Sequence, residues 1–554
     1  MRGHEVFLKS LAAHGVDRIF GNPGTTESPL LDSLADHPAM RYIVHLHEGV
    51  AVGAASYYAR ATGRTAVANL HVAPGLGNAI GMIYNAFKGQ APLIVTAGQQ
   101  DTRMLRRDPI LSHDLAAMAA PVTKWSTEVR HADEMDEVLR RAFKIANEPP
   151  YGPVFLSLPI DVMAQETRNG PQAPSRVFLP AQPDPRGIAV ACELLLGARE
   201  PVIVVGDEVA RTGAAAELIR LAERLGAAVW FEGIRGHSAF PARHPHARAS
   251  LPFDAAAIRK TLGSADRVLL VGGAFFEEVW FTAGSPFPDG ARVIQIEASV
   301  RPLGWNHSVD AGVVGPMGPT LQALELALAA GADAAWNSAA AARCAVLAEQ
   351  KARETAAYQA RVEKAWSRMP ISMPRVMTEI QRAAPPNALI VEESITASVD
   401  FAAAFALDAD ERFLGARGGG IGQGLAGAIG ASVGHPGRPV LCVSGDGSAM
   451  YSIQALWTAA HHRLPIVFVI LANREYRVLK HNLDIYRQRF DAASDKPYPH
   501  MDLGGPALGF VALAAGMGVP GVRIDKPEDL AGALAEAFAD GGPRLVEIGI
   551  EGKR

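Results

Sequence analysis

The sequence predicts an α/β protein of three doubly wound parallel-sheet domains, and three observations predict it. Short apolar runs of strand length alternate with helix-period segments along most of the chain. Its 554 residues exceed what one ordinary core accommodates. A break at 169–185, holding Pro171, Pro174, Pro180, Pro183 and Pro185, reads as an extended linker between two such stretches. The expected domains are 1–165, 187–330 and 370–550, with an alanine-rich, charge-dotted helical connection at 332–366 before the last.

In the first domain 42–46 reads as a strand, 49–62 as a helix stopped by Gly63, and 66–70 and 93–97 as further strands. The second opens with a strand at 201–206, a helix at 214–225 and a later strand at 268–272. The third carries a strand at 388–391 and then its most informative stretch. Residues 440–444 form a buried strand; Ile453, Leu456, Trp457 and Ala460 recur at helical spacing across 451–463; Pro465 stops that helix before a second strand at 466–471. Such a βαβ crossover returns the chain parallel to its start. Asp446 and Asn473 then emerge together at the carboxyl edges of neighbouring strands, where open α/β sheets bind ligands. One carboxylate and one amide oxygen suit Mg²⁺, a hard ion that takes few protein oxygens and fills its shell with phosphate oxygens and water. A diphosphate cofactor is implied.

Gly445-Asp446-Gly447-Ser448, followed at this interval by Asn473, resembles the thiamine diphosphate motif shared by pyruvate decarboxylases, acetohydroxyacid synthases and benzoylformate decarboxylases. A lone Gly-Asp-Gly is more often an ordinary turn. Here Phe20-Gly-Asn-Pro-Gly-Thr25, His47-Glu48 and Asn69-Leu-His-Val-Ala-Pro-Gly-Leu-Gly-Asn78 resemble segments at matching places in benzoylformate decarboxylase, and the likeness runs over essentially the whole chain.

The resemblance implies pyrimidine-binding, central and diphosphate-binding domains in that order, with thiamine diphosphate and Mg²⁺ as cofactors. Glu48 is similar to the glutamate that bonds the pyrimidine N1′ and favours the imino tautomer, which makes the C2 carbanion. Asp446, Asn473 and the Glu475 carbonyl would hold the metal. Asn22, Pro23, Gly24, Ile395, Thr396, Gly447, Ser448 and Tyr476 would border the cofactor, Gly419 would offer a carbonyl to the aminopyrimidine, and Ile421 would wedge beneath it. His71 matches a proton donor and acceptor, and Thr25 stands at a substrate-contacting position. Leu111, Val478, Leu479 and Asn482 would complete the substrate pocket. The central-domain stretch 275–280, Phe-Phe-Glu-Glu-Val-Trp, lacks the histidine that benzoylformate decarboxylase supplies there, and His113 is the candidate replacement.

The expected reaction is non-oxidative decarboxylation of a 2-oxo acid through the carbanion and an enamine. An acyloin-forming carboligase of acetohydroxyacid synthase type, taking an aldehyde or second 2-oxo acid, is the alternative. Glu48 and Asp446 would meet only across chains, so a homodimer is the minimal unit and a homotetramer the expected form. The family's usual glycine after Asn473 is here Arg474; with Arg477 and Lys480 it reads either as positive charge favouring an anionic substrate or as a solvated surface.

A net charge of −4 without a sustained basic block argues against nucleic-acid binding. The three cysteines, Cys192, Cys344 and Cys442, are scattered, which suits a reducing cytoplasm rather than a disulfide framework. No stretch reaches the roughly 20 apolar residues that span a bilayer. Residues 206–213 lack a dinucleotide glycine fingerprint, and neither His45-Leu-His47-Glu48 nor His461-His462 forms a helical zinc motif.

Overall fold

The computed structural model describes residues 1–175, 182–405, 407–409, 412–492 and 494–552. The chain divides into two units, one of Met1–Arg176, Ala365–Phe401 and Ala416–Arg554, the other of Val177–Lys364 and Ala402–Gly415. Of the proline-rich break, Pro180 lies outside the described residues. Pro185 is not linker: it opens the helix Pro185–Leu196, where its fixed φ and missing N–H are tolerated, and the Asp184 carboxylate caps that helix by accepting from Arg186 N at 2.9 Å.

The first unit holds two parallel sheets. One comprises β1 (Arg18–Gly21), β2 (Arg41–Val44), β3 (Ala66–Leu70), β4 (Leu93–Gln99), β5 (Trp125–Glu128) and β6 (Pro153–Pro159), in the order β2-β1-β3-β4-β6-β5. β3, β4 and β6 are buried along their whole length, as strands covered on both faces must be, so their sequences run apolar rather than alternating. The other sheet contains β13 (Leu389–Glu393), whose neighbour is β15 (Val440–Gly445), followed by β16 (Ile466–Ala472), β18 (Arg544–Gly549) and β17 (Gly521–Ile524). β15 and β16 pair from Val440↔Ile466 to Gly445↔Leu471, which brings Asp446 and Asn473 out at one edge. The intervening helix is shorter than its apolar spacing suggests. It spans Ala455–His461, and tight turns such as Tyr451 N to Ser448 O, 3.1 Å, occupy the preceding residues. Ile453 is buried all the same, because a turn can bury an apolar side chain as a helix does.

Between these sheets the helices Glu48–Thr62 and Gln423–Gly434 run side by side and parallel, Gly53 meeting Ala426 and Thr62 meeting Gly434. Both are buried nearly all round, which marks core helices. Glycine permits the approach. A Cβ at Gly427 would stand 2.5 Å from the Tyr57 ring, and one at Gly430 would stand 1.9 Å from the Ala54 carbonyl oxygen.

The second unit carries β7 (Pro201–Val205), β8 (Ala228–Phe231), β9 (Ala247–Ser250), β10 (Arg267–Val271), β11 (Arg292–Glu297) and β12 (Ala311–Val314), parallel in the order β12-β11-β10-β7-β8-β9. The strand β14 (Phe413–Gly415) joins this unit, Gly415 N donating to Gly236 O at 3.0 Å. At the switch point between β7 and β10 the backbones nearly touch: a Cβ on Gly206 would lie 2.2 Å from Gly273 Cα. Buried acids surround this crevice. Asp207 accepts from Gly236 N and His237 N at 2.9 Å, Glu232 accepts from Asp207 N at 3.0 Å, and Glu297 accepts from Gln295 Nε2 at 2.8 Å. Burial, with Glu208 and Glu232 nearby, pushes the Glu297 carboxyl up to about 8. The alanine-rich connection is helical over Ala334–Ala365, as its composition predicts. No helix among the described residues is long and apolar enough to cross a membrane.

Gly430→Ala should lower the unfolding free energy by about 1–3 kcal/mol, because the methyl group meets backbone that cannot swing aside; unchanged denaturant midpoints would contradict the packing described. Folded Glu297 keeps a proton that the unfolded chain releases above its usual 4.5, so its contribution to stability falls as pH rises from about 4.5 to about 8. Glu297→Gln should flatten that decline in midpoints measured across the interval.

Candidate active site

β2 ends at Val44, and His45, Leu46 and His47 lead into the helix Glu48–Thr62. His45 is fully buried, and desolvation pushes its imidazole down to about 3. Its Nδ1 lies 3.4 Å from Thr458 Oγ1, so this histidine is a neutral piece of core. His47 caps the helix, its Nδ1 accepting from Gly49 N at 3.0 Å. Glu48 follows as the first helical residue, only 8% exposed, at the positive end of the dipole. Asn78 Nδ2 donates to its Oε2 at 3.1 Å, and a Cβ on Gly75 would come within 2.9 Å of Oε1. Glycine at 75 therefore leaves room for the carboxylate.

Asn78 and Gly75 belong to the helix Val72–Lys88, which His71 begins as N-cap at the end of β3. His71 Nδ1 lies 2.8 Å from Glu27 Oε2. Glu27 is buried and held by Gly24 N, Gly98 N and Thr26 Oγ1, each at 2.9 Å. A carboxylate facing Nδ1 favours the proton there and leaves Nε2 as the acceptor. A Cβ at Gly24 would lie 2.1 Å from that nitrogen, so the turn requires glycine. Asn22 and Pro23, like Gly24, are half-buried in the loop after β1; Thr25 is exposed, two residues from Glu27. Leu111 joins this group through its carbonyl, which accepts from Ala73 N at 3.4 Å. His113 does not. Its ring accepts from Asp114 N at 2.7 Å, and no hydrogen bond joins it to His71.

At the other sheet Asp446 is buried, Oδ1 accepting from Gly447 N at 2.8 Å and Oδ2 from Arg474 N at 2.7 Å. Burial raises its pKa, against the pull of those two hydrogen bonds. Asn473 Oδ1 accepts from Glu475 N at 3.0 Å, while Arg474 adopts φ +58° between them. The Glu475 carbonyl accepts no hydrogen bond from a described residue. Gly447 lies under Tyr476, where a Cβ would approach the ring to 2.6 Å, and Ser448 is buried beside it. Val478, Leu479 and Asn482 follow on the helix Arg477–Arg489, with Leu479 exposed. The reading of Lys480 as solvated surface fails: it is buried between the Glu475 and Asp502 carboxylates, and Arg477 bonds Glu475 at 2.9 Å.

The glycine-rich loop 417–422 precedes the helix Gln423–Gly434. Glu393, at the end of β13, accepts from Gly422 N, Gln423 N and Gly424 N at 2.8, 2.9 and 2.8 Å. Complete burial nevertheless pushes it up to about 7. Gly419, at φ +81°, has open space where a Cβ would sit, and its carbonyl accepts no hydrogen bond from a described residue. Ile421 is half-buried; Ile395 and Thr396, on the turn after β13, are exposed. Val72, Leu111, Ile395 and Arg474 all have positive φ, a conformation costing roughly 1–3 kcal/mol at non-glycine residues that tends to collect at functional sites.

Within the chain no hydrogen bond or ion pair links Glu48 to Asp446 or to the 473–476 loop. The sequence reading gave no individual role to Glu27, Asn78, Asn85, Glu393 or Gln423. Adjacent Glu392-Glu393 at the end of an apolar strand was the available signal, because a buried carboxylate must find donors and a helix N-terminus supplies them. Among the described residues no three His, Cys, Asp or Glu side chains cluster as metal ligands.

Family models for thiamine pyrophosphate enzymes match the chain three times: the N-terminal TPP binding domain over residues 1–119, the central domain over 188–324 and the C-terminal TPP binding domain over 396–548. The chain is 34% identical to benzoylformate decarboxylase of Pseudomonas aeruginosa over 98% of each protein. It is 28% identical to the acetolactate synthase isozyme 3 large subunit of Escherichia coli, over 97% of this chain and 92% of that one. Among solved structures, the thiamine diphosphate-dependent 4-hydroxybenzoylformate decarboxylase of Rhodococcus jostii RHA1 superposes with a TM-score of 0.87 at 31% identity, over 100% of both chains. Three domains matched in order, together with a full-length relative above 30% identity, place this chain in the thiamine pyrophosphate enzyme family.

Proposed function

We propose that the protein catalyses non-oxidative decarboxylation of a 2-oxo acid, with thiamine diphosphate and Mg²⁺ held between Glu48 of one protomer and Asp446 of its partner. The observation that carries this reading is the Glu27–His71 pair, which presents an oriented imidazole on the same helix end that fixes Glu48. The residues fit the cofactor. Asp446, the Asn473 amide oxygen and the unpaired Glu475 carbonyl are hard oxygen donors of the kind Mg²⁺ takes beside a diphosphate. The Gly419 carbonyl, which accepts from no described residue, suits an amino group, and Ile421 supplies an apolar support beside it. Asn22, Pro23, Ile395, Thr396, Gly447, Ser448 and Tyr476 would border the rest.

When bound, the cofactor would supply a nucleophilic carbon and a sink for the electron pair freed on decarboxylation. Glu48, fixed by Asn78, would bond the pyrimidine nitrogen. His71, its Nδ1 committed to Glu27, moves a proton between Nε2 and the substrate oxygen. Thr25 offers its hydroxyl to the substrate carboxylate. Leu111, Val478, Leu479 and Asn482 shape the acyl pocket, with His113 at its rim. Because Glu475 and Asp502 neutralise Arg477 and Lys480, the charge balance supports a simple 2-oxo acid over a polyanionic substrate. The reduced cysteines Cys192 and Cys442, both buried, suit the cytoplasm. The homodimer, doubled to a homotetramer, is the form proposed. The similarity to an acetolactate synthase supports a second reading, transfer of the acyl unit to an aldehyde or another 2-oxo acid.

Incubation with thiamine diphosphate, Mg²⁺ and a panel of aromatic and branched 2-oxo acids should release CO₂ and free aldehyde. An acyloin as the main product would move the assignment to the carboligase, and no CO₂ from any member would overturn both readings. Glu48→Gln should lower kcat by about a hundredfold or more. Mixed and reassembled with Asp446→Asn, it should regain activity that neither variant has alone, since a mixed dimer keeps one intact site. Failure to recover, with mixed dimers demonstrated, would place both residues in separate functions.

A further inference from the structure

Asn85 lies on the helix Val72–Lys88, seven positions beyond Asn78, and is 5% exposed. Its side-chain amide pairs with the backbone of one residue as a neighbouring strand would: Nδ2 donates to Gly420 O at 3.1 Å, and Oδ1 accepts from Gly420 N at 3.2 Å. The fit leaves no slack. A Cβ at Gly420 would lie 2.7 Å from both amide atoms, and one at Gly418 would lie 2.9 Å from Oδ1. Gln423 shares the Gly420 carbonyl with Asn85 and also ties the start of the loop. Gln423 Nε2 donates to Arg417 O and Gly420 O, each at 2.7 Å, and Glu393 caps Gly422 N. Gly419 therefore stands between two glycines pressed on Asn85 while facing open space itself.

We propose that Asn85 is a positioning residue for the cofactor's aminopyrimidine, holding Gly420 so that the neighbouring Gly419 carbonyl keeps one orientation. This rests on the cofactor assignment above. Asn78 and Asn85 are about two turns apart and so share a helix face. One helix thus serves two sites of the proposed dimer: its start carries His71 and steadies Glu48 through Asn78 for one, and Asn85 sets the glycine loop of the other. Asn85 touches none of the proposed metal ligands, so its loss should leave diphosphate anchoring in place and release the ring end.

The test compares wild type with Asn85→Ala and Asn85→Asp. The aspartate keeps the acceptor for Gly420 N and places a repelling oxygen against Gly420 O. Three readouts are taken: hydrogen exchange of the 417–424 amides without cofactor, thiamine diphosphate affinity with Mg²⁺ by titration, and the near-ultraviolet circular dichroism of the bound ring. Asn85→Ala should show faster exchange at Gly420 with Gly422 and Gly424 unchanged, and both variants should show an altered ring signal and kcat lowered roughly tenfold at unchanged KM, as expected when an interaction acts on the cofactor rather than the substrate. Unchanged ring signal and affinity in a folded variant would overturn the proposal. Should alanine fail to fold, the near-isosteric aspartate decides. If wild type itself binds no thiamine diphosphate, the cofactor assignment fails instead, and the exchange data still report whether Asn85 holds the loop.

Discussion

The backbone-to-backbone contact between the helices Glu48–Thr62 and Gln423–Gly434 is the constraint on which the first unit depends. Each follows a loop that carries candidate chemistry, and each is buried nearly all round. With Gly427 beneath Tyr57 and Gly430 against the Ala54 carbonyl, the axes cannot slide without collision. Close packing of this kind turns two separately folded sheets into one rigid support, so the Glu48 carboxylate and the glycine-rich loop hold a fixed relation.

The candidate site shows a division of labour between groups that would touch a cofactor and groups that hold those groups still. Glu27 orients His71, Asn78 steadies Glu48, Glu393 caps the helix behind the glycine loop, and Lys480 anchors Glu475. Glu27, Glu393 and Lys480 are buried, and all four spend polar atoms on backbone or on neighbouring side chains. Preorganisation of this sort reduces what must be ordered when a ligand arrives.

Much of the arrangement was legible in the sequence. Asp446 and Asn473 could be placed on adjacent strand ends because apolar runs, a helical period and Pro465 together specify a crossover. Glu48 was legible through its neighbours. The supporting groups were not, for physical reasons. Glu27 reads as a turn residue until folding brings Gly98 and His71 to it, and Asn85 looks like any polar helix position until a distant loop arrives. Lys480 misled in the opposite sense: a lysine in a polar helix is expected in water, and only the meeting of Glu475 with Asp502 makes its burial affordable. The left-handed backbone of Val72 and Ile395 carries no local signature at all, since β-branched residues disfavour it.

The buried imidazole at residue 45 gives the first unit a weakness on the acid side. Held near 3 when folded, it binds a proton only after the chain opens, so acidification below its usual 6.5 progressively erodes the joint where the loop after β2 meets Thr458. The acid-lined crevice of the second unit weakens in the alkaline direction instead. Between about 4.5 and 6.5 the two trends oppose each other, so what Glu297 loses as pH rises His45 recovers, and a net decline from this pair sets in only outside that span.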